Sequence, residues 1–181
     1  MELVITAGLG PENAMAIILI TGGARSGKST HAESRVRAYG GQPVYIATAE
    51  ALDSEMSERI AKHRARRGKA WLEREVPLEL ITALIETDGA GARLVDCLTL
   101  WLSNLLHAER DWATEASKLA EALSRQKGPV VLVSNEVGLG IVPDNALARQ
   151  FRDAAGILNQ MVARVADEVE FVVAGLPMRV K

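Results

Sequence analysis

Eight consecutive residues limit the fold of this chain more than any other stretch. Gly22-Gly23-Ala24-Arg25-Ser26-Gly27-Lys28-Ser29 satisfies the spacing G-x-x-x-x-G-K-[ST]. It follows the apolar run Ala16–Thr21 and precedes a segment of helical character, so it reads as a strand, a loop and a helix start. Glycines allow the backbone close to an anion, successive N–H groups point at its oxygens, and the positive end of a helix dipole near Lys28 favours the charge. Lys28 is expected to reach the terminal phosphates of a nucleotide and the Ser29 hydroxyl to ligate magnesium. Arg25 has two equal readings, an extra phosphate contact or a solvated side chain.

Further runs rich in Val and Ile recur at Pro43–Thr48, Arg93–Asp96, Pro129–Ser134 and Glu168–Ala174, separated by longer segments of helical periodicity. This alternation predicts an α/β fold, P-loop NTPase-like, with a mostly parallel sheet flanked by helices. Continuous apolarity in Ile17-Ile18-Leu19-Ile20 and Val130-Val131-Leu132-Val133 predicts central strands covered on both faces. The clearest helix follows Pro143 and Asp144 and aligns Leu147, Phe151, Leu158, Val162 and Val165. Residues 1–14 read as an N-terminal extension, with Gly8-Leu9-Gly10-Pro11 interrupting any regular element and Met15 a candidate start. Residues 15–181 read as one domain, because 181 residues of 48% hydrophobic composition suffice for a single core.

A formal net charge of −2 with mixed signs excludes a strong electrostatic footprint for nucleic acid or an anionic membrane. Cys97 is the sole cysteine, which excludes an internal disulfide and a Cys-x-x-Cys centre. No apolar stretch approaches the roughly 20 residues that span a bilayer, and Met1-Glu2 lacks a basic leader start. The expectation is a soluble, cytoplasmic protein acting on small molecules.

A phosphate loop needs a metal-side carboxylate, and Asp96 ends the run Arg93-Leu94-Val95 at a suitable place. Its alternative role is to cap a helix starting near Leu98. Residues 51–67 read as a helix with Glu55/Arg59 and Glu58/Lys62 at ion-pair spacing, and Leu52, Met56, Ile60 and His63 on one face. On spacing alone His63 is more often a packed histidine, and Arg64, Arg66, Arg67 and Lys69 a solvated end. The chemical alternative is an imidazole that attacks a nucleotide α-phosphate while the arginines neutralise the triphosphate.

Three stretches together resemble the bifunctional adenosylcobinamide kinase / adenosylcobinamide-phosphate guanylyltransferase family of cobalamin biosynthesis. They are Thr21–Ser29, Tyr45-Ile46-Ala47-Thr48-Ala49 through His63-Arg64, and Asn135-Glu136-Val137-Gly138-Leu139-Gly140-Ile141-Val142-Pro143. The resemblance covers nearly everything after Ala14. It implies phosphorylation of adenosylcobinamide with GTP or ATP, then transfer of GMP from GTP through a guanylylated histidine, giving adenosylcobinamide-GDP and pyrophosphate. It also implies His63 as that histidine and a nucleotide site of Gly22, Gly23, Ala24, Arg25, Ser26, Gly27, Lys28, Ser29, Ala47, Thr48, Ala49, Arg64, Ala65, Arg66, Arg67, Glu75 and Asp96. A homo-oligomer, a trimer by resemblance, is implied as well. Asn135, Glu136 and Gly138–Gly140 either border the corrinoid substrate or form a structural turn. Trp71 and Trp101 are interface or core.

Two rival readings have distinct signatures. A simple P-loop small-molecule kinase would leave His63 without a covalent role. A nucleotide switch would be expected to carry Asn-Lys-x-Asp, which is absent, and the Asp-x-x-Gly at Asp153–Gly156 falls inside an expected helix.

Overall fold

The computed structural model describes residues 16–50, 54–68 and 70–181, with the side chains of residues 55, 56, 59, 62, 63 and 66 outside the description. The extension 1–14, Met15, the helix start at 51–53 and Lys69 therefore lie outside the described residues, as do both pairs at ion-pair spacing.

The elements run β1 (Ile17–Gly22), α1 (Lys28–Ala38), β2 (Val44–Ala47), α2 (Ser54–Arg67), β3 (Leu72–Glu75), α3 (Leu80–Glu86), β4 (Arg93–Asp96), α4 (Leu98–His107), α5 (Trp112–Leu123), β5 (Val130–Val133), α6 (Ala146–Val165), β6 (Glu168–Val173) and β7 (Leu176–Arg179). The strands form one sheet in the order β3-β2-β4-β5-β1-β6-β7. Every pairing is parallel except β6 with β7. The expected α/β architecture with a mostly parallel sheet is what the chain adopts.

Burial explains the unbroken apolar runs. In β1, Ile17 and Leu19 pack with Leu84, Trp101, Leu119, Leu158 and other residues of α3 to α6. Ile18 and Ile20 pack on the opposite face with Ala32 and Val36 of α1, and with Tyr45, Trp71 and Leu94. A strand buried on both sides has no polar alternation to show. Trp71 and Trp101 are both core residues, at 6% and 0% exposure.

Two strands escaped the sequence reading. Leu72-Glu73-Arg74-Glu75 is mostly polar because β3 is a sheet edge, and Leu176-Pro177-Met178-Arg179 carries a proline that only the opposite edge tolerates. The α6 face needs correction too. Its N-cap is Asn145, whose side chain accepts from the Ala148 amide, and Leu147 is 68% exposed, while Ala154, Ala155, Leu158 and Val162 are buried. Leu147 lies exposed in the first turn of α6, and the fully buried face begins only at Ala154. Asp153–Gly156 does lie inside α6, away from any strand end.

Candidate active site

The loop between β1 and α1 is shaped by its backbone. Gly22 adopts φ +154°, and a Cβ there would meet the Val172 carbonyl oxygen at 2.6 Å. Gly27, the N-cap of α1, adopts φ +94° in the left-handed region, and Arg25 has φ +56°. The turn joining β6 and β7 braces the loop, with the Gly175 amide donating to the Ser26 carbonyl at 2.8 Å. No acidic residue occupies the first turn of α1, so the positive end of its dipole is uncompensated by the helix itself. Ala24 and Arg25 are exposed. The Lys28 ammonium is buried and donates to the Gly23 carbonyl at 3.0 Å, spanning the loop that it would vacate on reaching for phosphate.

Lys28 and Ser29 open onto a cavity of about 950 Å³. The same cavity is lined by Ala47 at the end of β2 and Ala49 beyond it, by Arg64, Ala65 and Arg67 of α2, by Glu75 of β3 and by Asp96 of β4. Elements that start far apart in sequence converge here because β2, β4, β5 and β1 are parallel neighbours and present their C-terminal ends together. Thr48 is brought close but turned away: its hydroxyl is buried, accepting from the Cys97 amide and donating to the Cys97 carbonyl, each at 2.8 Å. Its backbone is engaged as well, the amide donating to the Asp96 carbonyl at 3.1 Å and the carbonyl accepting from the Asn104 side-chain amide at 2.8 Å, so Thr48 anchors the end of β2 behind the cavity wall. The backbones of His63 and Arg66 lie in α2, and their side chains are outside the description.

Asp96 does not cap α4. That position belongs to Cys97, which makes no side-chain capping bond, and Asp96 instead accepts from the Tyr45 hydroxyl through Oδ2 at 2.8 Å. The Cys97 thiol is pushed up in pKa by burial and then by the neighbouring Asp96 charge, and sits 3.1 Å from the Thr99 hydroxyl. It is held as an inert thiol.

The far wall is an ion-pair lattice, where spacing alone leaves Arg64 and Arg67 as either a solvated end or groups that neutralise phosphate. Arg64 donates to Glu73 at 2.7 Å and Glu75 at 2.8 Å, and Arg67 donates to the second oxygen of Glu73 at 2.7 Å. Burial pushes the Glu73 carboxyl up, but the bonds from Arg67 and Arg64 outweigh it and leave the pKa lowered. Arg67 lies almost fully buried over the Tyr45 ring, 3.4 Å from its centroid. A phosphate that recruits either arginine must share it with a carboxylate. Glu73 and Tyr45 are among the lining residues that sequence reasoning did not select, the first because it lies on the missed strand β3.

Asn135 follows β5 and also lines the cavity, its amide nitrogen donating to the Thr99 hydroxyl at 2.6 Å. Glu136 donates its backbone amide to the Gly22 carbonyl, which ties the stretch 135–140 to the phosphate loop.

The family model described as cobinamide kinase / cobinamide phosphate guanyltransferase matches residues 18–180. This chain belongs to that family. Among its relatives, the bifunctional adenosylcobalamin biosynthesis protein CobP of Pseudomonas aeruginosa is 50% identical over 167 residues, covering 90% of this chain and 96% of that protein. The corresponding protein CobU of Salmonella typhimurium is 44% identical over 182 residues, covering 91% and 99%. Among solved structures, an ATPase of a bacterial type III secretion system superposes with TM-score 0.54 at 15% identity, over 91% of this chain and 56% of that one. The RadB recombinase gives TM-score 0.51 at 14% identity, over 86% and 73%. These distant structures establish the fold, a P-loop NTPase sheet, and nothing narrower.

For this cobinamide kinase / guanyltransferase family member, the metal question turns on donor chemistry. Among the described residues no three His, Cys, Asp or Glu side chains gather into a metal cluster. Ser29 and Asp96 supply two hard oxygen donors on one cavity. That set fits magnesium, which keeps several waters and takes the rest of its shell from substrate phosphates. Among the described residues no helix is long and apolar enough to cross a membrane.

Proposed function

We propose that this chain carries out both steps of its family on one cavity: phosphorylation of adenosylcobinamide with GTP or ATP, then transfer of GMP from GTP to the product through a guanylylated His63. One observation supports placing both steps together. Lys28 and Ser29 of the phosphate loop share the cavity with Ile60, Ala61, Arg64 and Ala65, the residues around His63 in α2.

In the first step Gly22–Ser29 wraps the phosphates with backbone N–H groups, and the Lys28 ammonium leaves Gly23 for the terminal phosphates. The hydroxyl of adenosylcobinamide attacks the γ-phosphorus, loses its proton, and the nucleoside diphosphate departs. In the second step a ring nitrogen of neutral His63 attacks the α-phosphorus of GTP and pyrophosphate departs. The phosphate of adenosylcobinamide phosphate then attacks the phosphorus of GMP-His63, breaking the P–N bond and forming adenosylcobinamide-GDP. Ala47, Ala49, Arg64, Ala65, Arg66, Arg67 and Glu75 complete the nucleotide site, with Thr48 fixing the strand end between the two alanines. Magnesium, held by Ser29 and Asp96, would neutralise phosphate charge.

The corrinoid borders Asn135, Glu136 and the turn Gly138–Gly140, the enzyme works in the cytoplasm, and its active form is a homo-oligomer, a trimer by family. Residues 15–181 act as one catalytic domain.

The test uses GTP labelled at the α-phosphate, incubated with magnesium and either the native protein or His63→Ala. Acid-labile, alkali-stable label on denatured native protein and none on His63→Ala is the expected result. A native protein that binds GTP yet takes no label would replace this reading with that of a simple kinase.

A further inference from the structure

Tyr45 has no role in either step as written, yet it occupies a singular place. In the register of β2 with β4, Tyr45 faces Leu94 and Ala47 faces Asp96, so Tyr45 and Asp96 are diagonal neighbours on one face of the sheet. The phenol donates to Asp96 Oδ2 at 2.8 Å. Its ring is held on two sides. The Arg67 guanidinium stacks 3.4 Å from its centroid, and Trp71 meets it edge-on at 5.9 Å and 90°. Arg37 closes the set, lying 5.6 Å over Trp71 and donating to the Arg67 carbonyl at 3.1 Å. Tyr45 is 5% exposed, so the phenol has no freedom to swing into water.

We propose that Tyr45 is a positioning residue for the metal-side carboxylate: its hydroxyl fixes one oxygen of Asp96, while Arg67 at the end of α2 clamps its ring. A carboxylate at a strand end rotates about its Cα–Cβ and Cβ–Cγ bonds, and a hydrogen bond to one oxygen sets how the other is presented. Because Arg67 also pairs with Glu73, the seating of α2 and the aim of Asp96 become one mechanical unit. The inference rests on the reading of Asp96 as the magnesium-side carboxylate.

Tyr45→Phe keeps the ring, the stack and the Trp71 contact and removes only the hydroxyl. The measurement is binding of a fluorescent GTP analogue with a methylene bridge between the α- and β-phosphorus, which cannot transfer GMP to His63, with no corrinoid acceptor present to take the γ-phosphate, first in EDTA and then along a magnesium titration. Tyr45→Phe is expected to raise the magnesium concentration at half-effect by about tenfold, the low end of what a hydrogen bond to a charged group implies, because the bond acts through the aim of Asp96. Affinity in EDTA should stay within about twofold of native. In an Asp96→Asn background, Tyr45→Phe should add nothing. An unchanged magnesium midpoint in Tyr45→Phe overturns the inference, as does an equal loss with and without magnesium, which would mark Tyr45 as packing alone. If Asp96→Asn itself leaves the midpoint unmoved, the metal reading of Asp96 falls and the inference falls with it. A midpoint that responds to Asp96→Asn but not to Tyr45→Phe overturns only the inference.

Discussion

The two walls of the cavity are built by different physics. The phosphate-loop wall hangs from β1, a central strand buried on both faces, and its shape is set by backbone: two glycines with φ of +154° and +94°, and a hairpin turn bonded to Ser26. The α2–β3 wall lies at the sheet edge, and side chains set its shape: Arg64 and Arg67 against Glu73 and Glu75, with Arg67 on Tyr45. The first wall tolerates few substitutions but asks little of any one side chain other than Lys28 and Ser29. The second depends on a few charged pairs of very unequal burial.

The largest effect that sharpens this contrast is expected at Gly22. Gly22→Ala puts a methyl 2.6 Å from the Val172 carbonyl oxygen and 2.7 Å from Ser26 Oγ, in a backbone conformation L residues rarely adopt. Strain of this kind costs about 2–3 kcal/mol. A thermal melt should show Tm lowered by about 5–10 °C for a chain of this size. Nucleotide affinity should fall at least about fivefold if even half of the strain is relieved by moving the loop. An alanine variant that melts and binds like the native protein would break the claim that backbone shape defines this wall.

On the opposite wall the effect should divide by burial. The Arg67 side chain is 3% exposed and that of Arg64 52%, although both reach Glu73 at 2.7 Å. Arg67→Met leaves Glu73 with Arg64 alone and removes the stack on Tyr45, at a cost of about 2 kcal/mol, below the full buried-pair figure because Glu73 keeps Arg64 and contact with water. Arg64→Ala should cost less than about 0.5 kcal/mol, as exposed pairs do. Urea unfolding of the two variants measures the difference directly. Equal losses would mean that the lattice acts as a unit and that burial does not rank its members.

This division also governs how much could be read from the sequence. The phosphate loop was legible because its demand falls on residue types in fixed order, Gly-x-x-x-x-Gly-Lys-Ser, and the central strands because burial on two faces leaves an unbroken apolar run. Residue order along the chain also places Asp96 at a strand end. The far wall was not legible in this way. Leu72-Glu73-Arg74-Glu75 looks like solvated charge, since an edge strand shows almost no buried face. Without β3, Arg64 and Arg67 have no carboxylates in view, and Glu75 entered only through family resemblance. Tyr45 was quoted within a motif, yet its role depends on a diagonal across two strands, and strand order is a tertiary fact. Leu147 shows the same limit in a helix, where spacing aligns a face but does not tell how far along α6 that face is covered.

The smallest effect separates the walls by acid titration. Each wall carries one glutamate whose pKa is lowered. Glu170 on β6 braces α1: its Oε2 lies 2.6 Å from a ring nitrogen of His31, and its Oε1 accepts from Arg35 at 3.0 Å. Burial pushes it up, but the bond with His31 and the Arg35 charge overcome this. Glu73 behaves likewise through Arg67 and Arg64. A carboxyl with a lowered folded-state pKa contributes stability that is fully present above its unfolded value, 4.5 here, and is lost as pH falls through the lower folded value. Native stability should therefore decline below about pH 4.5 as both groups take up protons. Glu170→Gln and Glu73→Gln should each lower stability at neutral pH and each flatten part of that acid decline. The Glu170 variant should flatten it more, because its side chain is 9% exposed against 24% for Glu73 and water screens its partners less. Denaturant midpoints measured from pH 7 down to pH 3.5 decide it. A larger acid response from Glu73 would place the stronger electrostatic brace at the sheet edge and reverse the comparison between the two walls.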